Sequence, residues 1–412
     1  MVKLSGCSSS LHPELTGAAA SAANMNFVKV ALVAESFLPH MNGVTHSLLK
    51  VLAHLRSRGD DVLVIAPSSS WLDDEAPPTV EGYPVHRLPS FPLSGYPNVR
   101  LAAGTVGRIR RVLADFAPDV VHLASPFVLG WRAVQAANQL GIPSVSIYQT
   151  EVPAYAARYG VPWAENLLWQ RVENIHDAST LNLVPSSFAF NQLQARGIQR
   201  LHLWRRGVDT ERFTPAKRDG GWRRSVAPLG SKIIGYVGRL AIEKQVEDLA
   251  VLNSIPGTRL VIIGSGPLKE SLRSKLPGAY FAGFQSGDDL ARMVASFDLF
   301  VHPGESETFC QTIQEAMASG VPVVAVGRGG PLDLVDSSRT GWVYEPGSLD
   351  QLHSAALDLL GDDVKRRAFG RAAYKSVQGR TWPVLCEQLV QYYDKAIAVQ
   401  ARRGSAARAS VD

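Results

Sequence analysis

Short apolar segments alternate with helix-length amphipathic segments along nearly the whole chain, and this pattern limits the fold more than any other feature. The apolar segments are rich in Val and Ile and are apolar at consecutive positions, as strands buried on both faces of a parallel sheet are. They lie at 28–34, 61–67, 119–125, 144–148, 181–185 and 201–204, and again at 233–237, 259–263, 280–282, 299–302, 323–326 and 342–344. The sequence therefore predicts an α/β protein with doubly wound parallel sheets.

The pattern restarts near residue 232, after a charged stretch at 214–231 that includes Gly220, Gly221 and Pro228. Since 412 residues suit two or three domains, we predict two Rossmann-like domains, at 25–215 and 216–381. Ligands of doubly wound sheets bind at the carboxyl ends of the strands, which places the expected site in a central cleft between the domains. The remaining segments are predicted to be a disordered extension at 1–24, an amphipathic helix at 382–399 and a flexible tail at 400–412.

The composition excludes several classes of protein. Apolar residues make up 46% of the chain and charged residues 19%, as in ordinary globular proteins. Basic side chains outnumber acidic ones by only 17 to 15 at 25–215 and 20 to 18 at 216–380, so nucleic-acid binding is not expected. The cysteines Cys7, Cys310 and Cys386 are too scattered for a disulfide framework or a metal site, which fits a reducing cytosol. No apolar run approaches the ~20 residues of a membrane-spanning helix.

Two segments that follow predicted strands have residue types suited to a phosphorylated ligand. In the first, Asn42 and Gly43 allow a tight turn before a helix whose N-terminal amides can bind an anion. An ordinary strand-to-helix turn is the alternative. In the second, Arg239 and Lys244 stand where a helix is expected to begin. Cations there oppose the helix dipole, so an anionic ligand would explain them, and a solvated surface pair is the alternative.

A third segment, 305–320, places polar side chains on one side of a predicted helix. Glu315 lies four residues after Gln311 and about two turns after Glu307, so these groups share a face near the start of the helix. The two carboxylates could bind hydroxyls of a sugar and a ribose, although Glu307 also suits the helix dipole on purely structural grounds. A fourth segment, 327–330, is glycine-rich and either exposes amides to a ligand or forms a tight connection.

The order and spacing of these segments resemble the retaining glycosyltransferases of family four, which have the GT-B fold of two Rossmann-like domains. The resemblance covers about 26–395. In the first half it is carried by the segments 36–55 and 119–126. In the second half it is carried by Gly238-Arg239 with Glu243-Lys244, Gly264–Pro267, Gly283-Phe284, Glu307-x7-Glu315 and Gly329-Gly330. Within the family, the segments 42–46, 148–153 and 305–310 are most similar to actinobacterial GDP-mannose-dependent α-mannosyltransferases that act on glycolipids.

The resemblance implies a role for each candidate residue. The donor diphosphate would lie against Gly43 and be held by Arg239 and Lys244, while Glu307 would bind hydroxyls of the transferred sugar and Glu315 the ribose. The backbone amides that would face the sugar phosphate are those near Phe309, Cys310, Gln311 and Thr312. Cys310 stands where many relatives have glycine. His122 is the N-terminal candidate for contact with the sugar or the acceptor, and a buried strand histidine is the alternative.

The implied chemistry needs no metal and no cofactor beyond the nucleotide sugar, because Arg239 and Lys244 stabilise the leaving diphosphate. The implied partners are that donor and a lipid acceptor. A helix predicted at 98–115 carries Arg100, Arg108, Arg110 and Arg111 and would dock on anionic membrane; a helix that simply covers the sheet is the alternative. We expect a cytoplasmic location, with peripheral association at the inner face of the plasma membrane left open. The 382–399 helix would pack back on the first domain.

Other functions remain open at this point. A UDP-sugar donor is the nearest variant, and a nucleotide-sugar epimerase of the same fold would need no acceptor. An NAD-dependent oxidoreductase is disfavoured because 264–269 lacks the third glycine of the dinucleotide fingerprint. A non-catalytic nucleotide-binding protein would also have such residues.

Overall fold

A computed structural model describes residues 27–69, 76–93, 96–124, 126–151, 153, 163, 165–227 and 230–409. The predicted extension at 1–24 lies outside the described residues, as do the last three residues of the predicted tail.

The first half of the chain forms ten strands and five described α-helices. The strands are β1 (Lys29–Ala34), β2 (Asp61–Pro67), β3 (Thr79–Val80), β4 (Tyr83–Leu88), β5 (Ser90–Leu93), β6 (Tyr96–Ala102), β7 (Val120–Ala124), β8 (Ser144–Ile147), β9 (Leu181–Val184) and β10 (Leu201–Leu203). The helices are α1 (Gly43–Arg58), α2 (Val106–Phe116), α3 (Leu129–Gln139), α4 (Glu165–Ala178) and α5 (Ser187–Ala195). Eight strands form one sheet in the order β10-β9-β8-β7-β1-β2-β4-β3, while β5 and β6 pair separately.

The second half forms a six-stranded sheet in which every neighbouring pair is parallel. Its strands are β11 (Lys232–Val237), β12 (Thr258–Ile263), β13 (Tyr280–Gly283), β14 (Leu299–His302), β15 (Val323–Val326) and β16 (Gly341–Tyr344), in the order β13-β12-β11-β14-β15-β16. The α-helices are α6 (Gly220–Val226), α7 (Lys269–Lys275), α8 (Gly287–Ala295), α9 (Gln311–Ala318), α10 (Pro331–Leu334), α11 (Leu349–Gly361), α12 (Asp363–Val377) and α13 (Trp382–Ala409). Three 3₁₀ helices lie at Pro215–Lys217, Ile242–Lys244 and Val246–Ser254.

Each large sheet is covered on both faces, which is why its strands are apolar at consecutive positions. In the first domain, Leu48 and Leu52 of α1 pack on one face of the sheet, and Ile109 of α2 and Ala133 of α3 pack on the other. The second sheet likewise separates two apolar clusters. The predicted α/β class with parallel sheets in both halves is confirmed.

Helix α13 returns from the second domain to the first. Trp382, Leu389 and Tyr393 belong to the same apolar cluster as α1, and the indole Nε1 of Trp204 donates to the carbonyl of Leu385 at 2.7 Å. The helix continues to Ala409, so the described part of the predicted tail is helical rather than loose. None of the helices in the described ranges is long and apolar enough to cross a membrane.

The helix predicted at 98–115 is wrong in its first half. Residues 96–102 form β6, which pairs antiparallel with β5, and Arg100 donates from Nε to Ser90 Oγ and from Nη2 to the Ser90 carbonyl. Thr105 caps the N-terminus of α2 by accepting from the amide of Arg108. Pairing with β5 therefore overrides the helical pattern. Of the four arginines, Arg108, Arg110 and Arg111 lie exposed on α2, and so does Asp115.

Candidate active site

The loop after β1 presents the N-terminus of α1. Asn42 Oδ1 accepts hydrogen bonds from the amides of Val44 and Thr45, both at 2.9 Å, and so caps the helix. Gly43 is exposed, and the first turn contains no acidic residue that would occupy the positive end of the helix dipole. A 16-residue helix that begins in this way offers its partial positive charge to an anion.

Arg206 lies beside this helix start, although its local sequence does not distinguish it as a residue of the site. Its Nη1 donates to the carbonyl of Gly43 at 3.1 Å and its Nη2 to Gln149 Oε1 at 2.7 Å, while only 7% of the residue is exposed. Burial lowers the pKa of Arg206 to about 10, and the charge of Glu307 opposes that shift. The guanidinium thus stays protonated at neutral pH and makes no ion pair within 4 Å in the described part of the chain.

The segment around Arg206 joins the two domains. The carbonyl of Gln149 accepts from Thr308 Oγ1 at 2.7 Å, and the carbonyl of Arg206 accepts from Gln314 Nε2 at 3.0 Å. Gln311 Nε2 donates to the carbonyl of Gly207, also at 3.0 Å. These bonds hold the start of α9 against the end of β8 and the connection that follows β10, so the two faces of the cleft meet here.

Lys244 and Glu307 form a partly buried ion pair on the second domain. Lys244 Nζ lies 2.5 Å from Glu307 Oε1, and His302 Nε2 lies 3.3 Å from the same oxygen. Burial would raise the pKa of Glu307, but Lys244 and His302 outweigh it and hold the pKa at about 2. Glu307 is therefore an ionised carboxylate, whose two oxygens act only as hydrogen-bond acceptors.

Arg239 has the freedom that a ligand-binding cation needs. Its side chain is exposed and makes no hydrogen bond or ion pair with any residue that the structure describes, while its carbonyl accepts from the hydroxyl of Tyr236 at 3.1 Å. The chain then forms a 3₁₀ helix at Ile242–Lys244 instead of the predicted helix start, and the amide of Lys244 donates to the carbonyl of Ala241.

The start of α9 brings several predicted residues together. Phe309 is buried, and Cys310 precedes the helix in a left-handed conformation with φ of 73°.

The two glycines at 329–330 have a packing role here. A Cβ on Gly329 would lie 2.3 Å from the carbonyl oxygen of Glu307, and one on Gly330 would lie 2.3 Å from the Cα of Phe309. The close approach of this turn positions the segment that precedes α9.

Glu315 is buried one turn into α9. Burial, with a smaller contribution from Asp209, raises its pKa to about 8, although a hydrogen bond with Gln311 opposes the shift. Asp209 itself is held by Lys50 of α1, whose Nζ lies 3.2 Å from Asp209 Oδ2. Glu315 is therefore largely protonated at neutral pH until a ligand favours its charged form.

The structure places His122 outside the cleft, contrary to its assignment as a residue that contacts sugar or acceptor. His122 lies in the middle of β7, is fully buried, and its Nδ1 is 2.6 Å from the hydroxyl of Tyr393 on α13. Burial lowers its pKa to about 3, so the ring is neutral. Alternate side chains of a strand face opposite sides of the sheet, and the His122 side chain is on the side that packs against α13.

His302, Glu307 and Cys310 are close enough to be considered as metal ligands. One donor atom from each lies within 4.8 Å of the other two, the one such group of three found in the described ranges. The ammonium of Lys244 already bonds the carboxylate of this group, however, and a cation there opposes a second one. The expectation that the reaction needs no metal stays a prediction.

Taken together, the site has two helix starts, an exposed cation in Arg239, a second cation in Lys244 and an ionised carboxylate beside it. Such a set can stabilise a diphosphate and accept hydrogen bonds from hydroxyls.

The family model Glycosyltransferase Family 4 matches 41–212, and Glycosyl transferases group 1 matches 222–376. A GDP-mannose-dependent alpha-mannosyltransferase of Mycobacterium tuberculosis (strain CDC 1551 / Oshkosh) is 45% identical over 377 residues, 91% of this chain and 98% of that protein. The chain belongs to glycosyltransferase family 4.

A second relative supports the placement in family 4, and a solved structure supports the fold. A protein of the same description from Mycolicibacterium smegmatis is 45% identical over 380 residues, 92% of this chain and 100% of that protein. The structure is similar to that of a sucrose-phosphate synthase from Thermosynechococcus elongatus, with a TM-score of 0.75 at 20% identity, covering 90% of this chain and 99% of that one. The predicted family and the GT-B fold are thus confirmed, and this family-4 protein is a glycosyltransferase.

Proposed function

We propose that this enzyme transfers mannose from GDP-mannose to a glycolipid acceptor and forms an α linkage. The observation that carries the proposal is the 45% identity, over nearly the full length of both chains, to two proteins described as GDP-mannose-dependent alpha-mannosyltransferases. The ionised Glu307 beside Lys244 supports it, because a sugar diphosphate has hydroxyls for the carboxylate and negative charge for the ammonium.

In this proposal, the two cations of the second domain stabilise the leaving group. Cleavage of the sugar–phosphate bond develops negative charge on the diphosphate, and preorganised cations lower the energy of that transition state. Arg239 has an exposed side chain that would bind it, and the ammonium of Lys244 would contribute a second positive charge. Gly43 and the amides at the start of α9 complete the anion site, and neither a metal nor another cofactor is needed.

The two glutamates divide the hydroxyl groups of the donor between them. Glu307 binds hydroxyls of the transferred mannose, and Glu315 binds the ribose once it has lost its proton. Arg206 holds the carbonyl of Gly43, so it fixes the first domain's part of the anion site against the second domain.

Retention of configuration follows from attack on the same face that the leaving group departs from. A phosphate oxygen of the donor takes the proton of the acceptor hydroxyl, so no protein nucleophile is required. Exclusion of water by domain closure would limit hydrolysis of the donor.

Access to a lipid acceptor is proposed to involve α2. Arg108, Arg110 and Arg111 are exposed on this helix, while Val106 and Val112 are half-buried. Because both valines pack against the apolar cluster of the first domain, the proposed contact is made by the exposed cations, which attract an anionic bilayer.

The donor is tested by the thermal stability of the purified protein with GDP, UDP or NAD in separate samples. A ligand at about 100 times its Kd adds ~2.7 kcal/mol to the free energy of unfolding, which is a measurable rise in Tm. A rise with GDP alone supports the proposal. A rise with UDP alone would favour a UDP-sugar transferase, and conversion of the nucleotide sugar without an acceptor would favour an epimerase.

A further inference from the structure

Asp333 of the second domain caps a helix of the first domain. Its Oδ2 accepts hydrogen bonds from the amide of Ser187 at 2.8 Å and from the hydroxyl of Ser187 at 3.1 Å. Ser187 is the first residue of α5, so the carboxylate lies at the positive end of a nine-residue helix. The Asp333 side chain is only 9% exposed. Because opposite charges attract across the domain boundary, this contact favours the arrangement in which the two domains meet.

Two arginines lie near the same carboxylate. Arg205, in the connection after β10, has its Nη2 3.3 Å from Asp333 Oδ2, and an Arg205→Lys substitution would keep this charge. Arg380 follows α12, just before the chain returns to the first domain. Burial and the charge of Arg205 lower the pKa of Arg380, and the charge of Asp333 opposes that shift. Since arginine stays protonated in proteins, Asp333 lies among positive groups that come from both domains.

Asp333 is also joined to the donor side of the cleft. Its amide donates to the carbonyl of Gly330 at 3.1 Å, and the amide of Gly330 donates to the carbonyl of Glu307 at 2.7 Å. Two backbone hydrogen bonds therefore connect the residue that caps α5 with the residue whose carboxylate is proposed to bind the sugar. A shift of the first domain relative to Asp333 acts on this part of the site.

The contact at Ser187 adds to the attachment that Thr308 makes. Thr308 Oγ1 donates to the carbonyl of Gln149 at 2.7 Å, at the end of β8. A single attachment lets two rigid bodies rotate about it, whereas a second one at the start of α5 restrains that rotation. Asp333 supplies the second attachment through its side chain, so its charge affects the angle between the domains.

We propose that Asp333 is a positioning residue whose negative charge keeps the two domains closed over the donor. Without this charge, Arg205, Arg380 and the positive end of α5 repel one another, and the domains separate. Closure excludes water from a reactive donor, so separation favours hydrolysis over transfer. The effect on transfer rests on the proposed function, whereas the change in domain arrangement needs no assumption about the donor.

Three variants separate the charge from the hydrogen bonds. Asp333→Asn keeps the shape and an oxygen that accepts from Ser187, and removes the charge. Asp336→Asn is the matched control, because Asp336 is exposed and pairs with Arg339 in its own domain at 3.3 Å. Ser187→Ala removes the hydroxyl and leaves every charge in place.

Small-angle X-ray scattering of the full chain without substrate tests the domain arrangement. At ~0.02 M salt, we expect the radius of gyration of Asp333→Asn to exceed that of the parent by about 1 Å or more. At ~0.5 M salt this difference should fall by at least about half, because ions screen the repulsion. Asp336→Asn and Ser187→Ala should show no salt-dependent difference. Equal radii for Asp333→Asn and the parent at low salt would overturn the inference.

A double variant keeps the test valid if Asp333→Asn is poorly folded. Adding Arg205→Gln removes one of the repelling charges, so the double variant should regain part of the compactness that Asp333→Asn loses. A double variant that is as expanded as Asp333→Asn, or more so, would contradict the electrostatic origin of the separation.

Mannosyl transfer gives the second readout. Asp333→Asn should lower kcat by about fivefold or more and raise the share of GDP-mannose that is hydrolysed, and added salt should reduce both differences from the parent. A merely structural contact would lower Tm and leave the division between transfer and hydrolysis unchanged, which would overturn the positioning role. Separation of the domains in a protein whose parent does not use GDP-mannose would contradict the proposed donor and support the role of Asp333 in closure.

Discussion

Lys244 Nζ lies 2.5 Å from Glu307 Oε1, and these side chains are only 17% and 14% exposed. The pair joins the 3₁₀ helix that follows β11 to the loop that follows β14, at the carboxyl ends of two adjacent strands of the second sheet. Removal of one partner from a buried ion pair leaves an uncompensated buried charge, which destabilises the folded protein. In the proposed mechanism each partner also binds part of the donor, the ammonium a phosphate and the carboxylate a sugar hydroxyl.

Replacement of Lys244 should damage both activity and stability. In Lys244→Ala the Glu307 carboxylate loses its main counter-charge, which costs about 3–5 kcal/mol for a buried pair. Loss of one preorganised donor to the leaving group lowers kcat by about 10²–10³-fold. Steady-state kinetics and thermal denaturation measure the two effects. Lys275→Ala is the matched control, because Lys275 is exposed on α7, and it should behave like the parent. A Lys244→Ala enzyme with the kcat of the parent would refute the role of Lys244 in stabilising the leaving group.

Arg206 is expected to act as a positioning residue for the loop at Gly43. A lysine keeps the charge but cannot bond the Gly43 carbonyl and Gln149 together. We expect Arg206→Lys to raise the KM for GDP-mannose by about tenfold or more, with a smaller change in kcat, since a hydrogen bond to a charged group contributes about 1.5–3 kcal/mol. The neighbouring Arg205 bonds Asp333 instead, so Arg205→Lys is the control. Equal KM values for the two variants would contradict this role.

Binding of nucleotide should release a proton through Glu315. The free enzyme keeps this carboxyl protonated up to a pH of about 8 because of burial, while ribose hydroxyls favour the carboxylate. Affinity for GDP should therefore fall as the pH drops from 9 to 7. Calorimetry in buffers of different ionisation enthalpy should detect the released proton in the parent and not in Glu315→Gln. A parent enzyme without proton release would show that Glu315 does not bind the ribose as an anion.

The same carboxyl affects stability in a defined direction. Its pKa is about 8 in the folded protein against the ordinary 4.5 in the unfolded chain, so the folded state binds more protons between these values. Its contribution to the free energy of unfolding therefore decreases as the pH rises from 4.5 to 8. Glu315→Gln should be more thermostable than the parent at pH 8 and should lose this advantage near pH 5. A constant difference in Tm across the range would contradict the raised pKa.

His122 should affect folding rather than catalysis. His122→Leu leaves the buried hydroxyl of Tyr393 without its partner, which costs about 1–3 kcal/mol. The double variant with Tyr393→Phe removes both polar groups and should recover part of the lost stability. Donor KM should match that of the parent in both variants. A large rise in KM with unchanged Tm would restore His122 to the donor site.

The sequence predicts most strands because strands buried on both faces leave an unmistakable apolar pattern, as in β1 and β14. It predicts the Lys244 and Glu307 segments because each follows such a strand. The strand at 96–102 could not be predicted, since its stability comes from pairing with β5 and not from its own composition.

The positions of Arg206 and His122 depend on contacts between distant parts of the chain. Arg206 acts through Gly43, 163 residues away, and nothing in its local sequence distinguishes it from Arg205. His122 is kept from the cleft by Tyr393, 271 residues away on the returning helix α13. Local patterns identify residue types suited to a ligand, but only the packing of the two domains decides which of them reach the cleft.

The central claim is tested most directly by the product itself. GDP-mannose labelled with ¹³C at C1 is incubated with the enzyme and a glycolipid acceptor, and the one-bond coupling between C1 and its hydrogen is measured by NMR. The proposed mechanism predicts an α-mannoside, with no transfer from UDP-glucose under the same conditions. A β-mannoside, or transfer from the UDP-sugar alone, would contradict it.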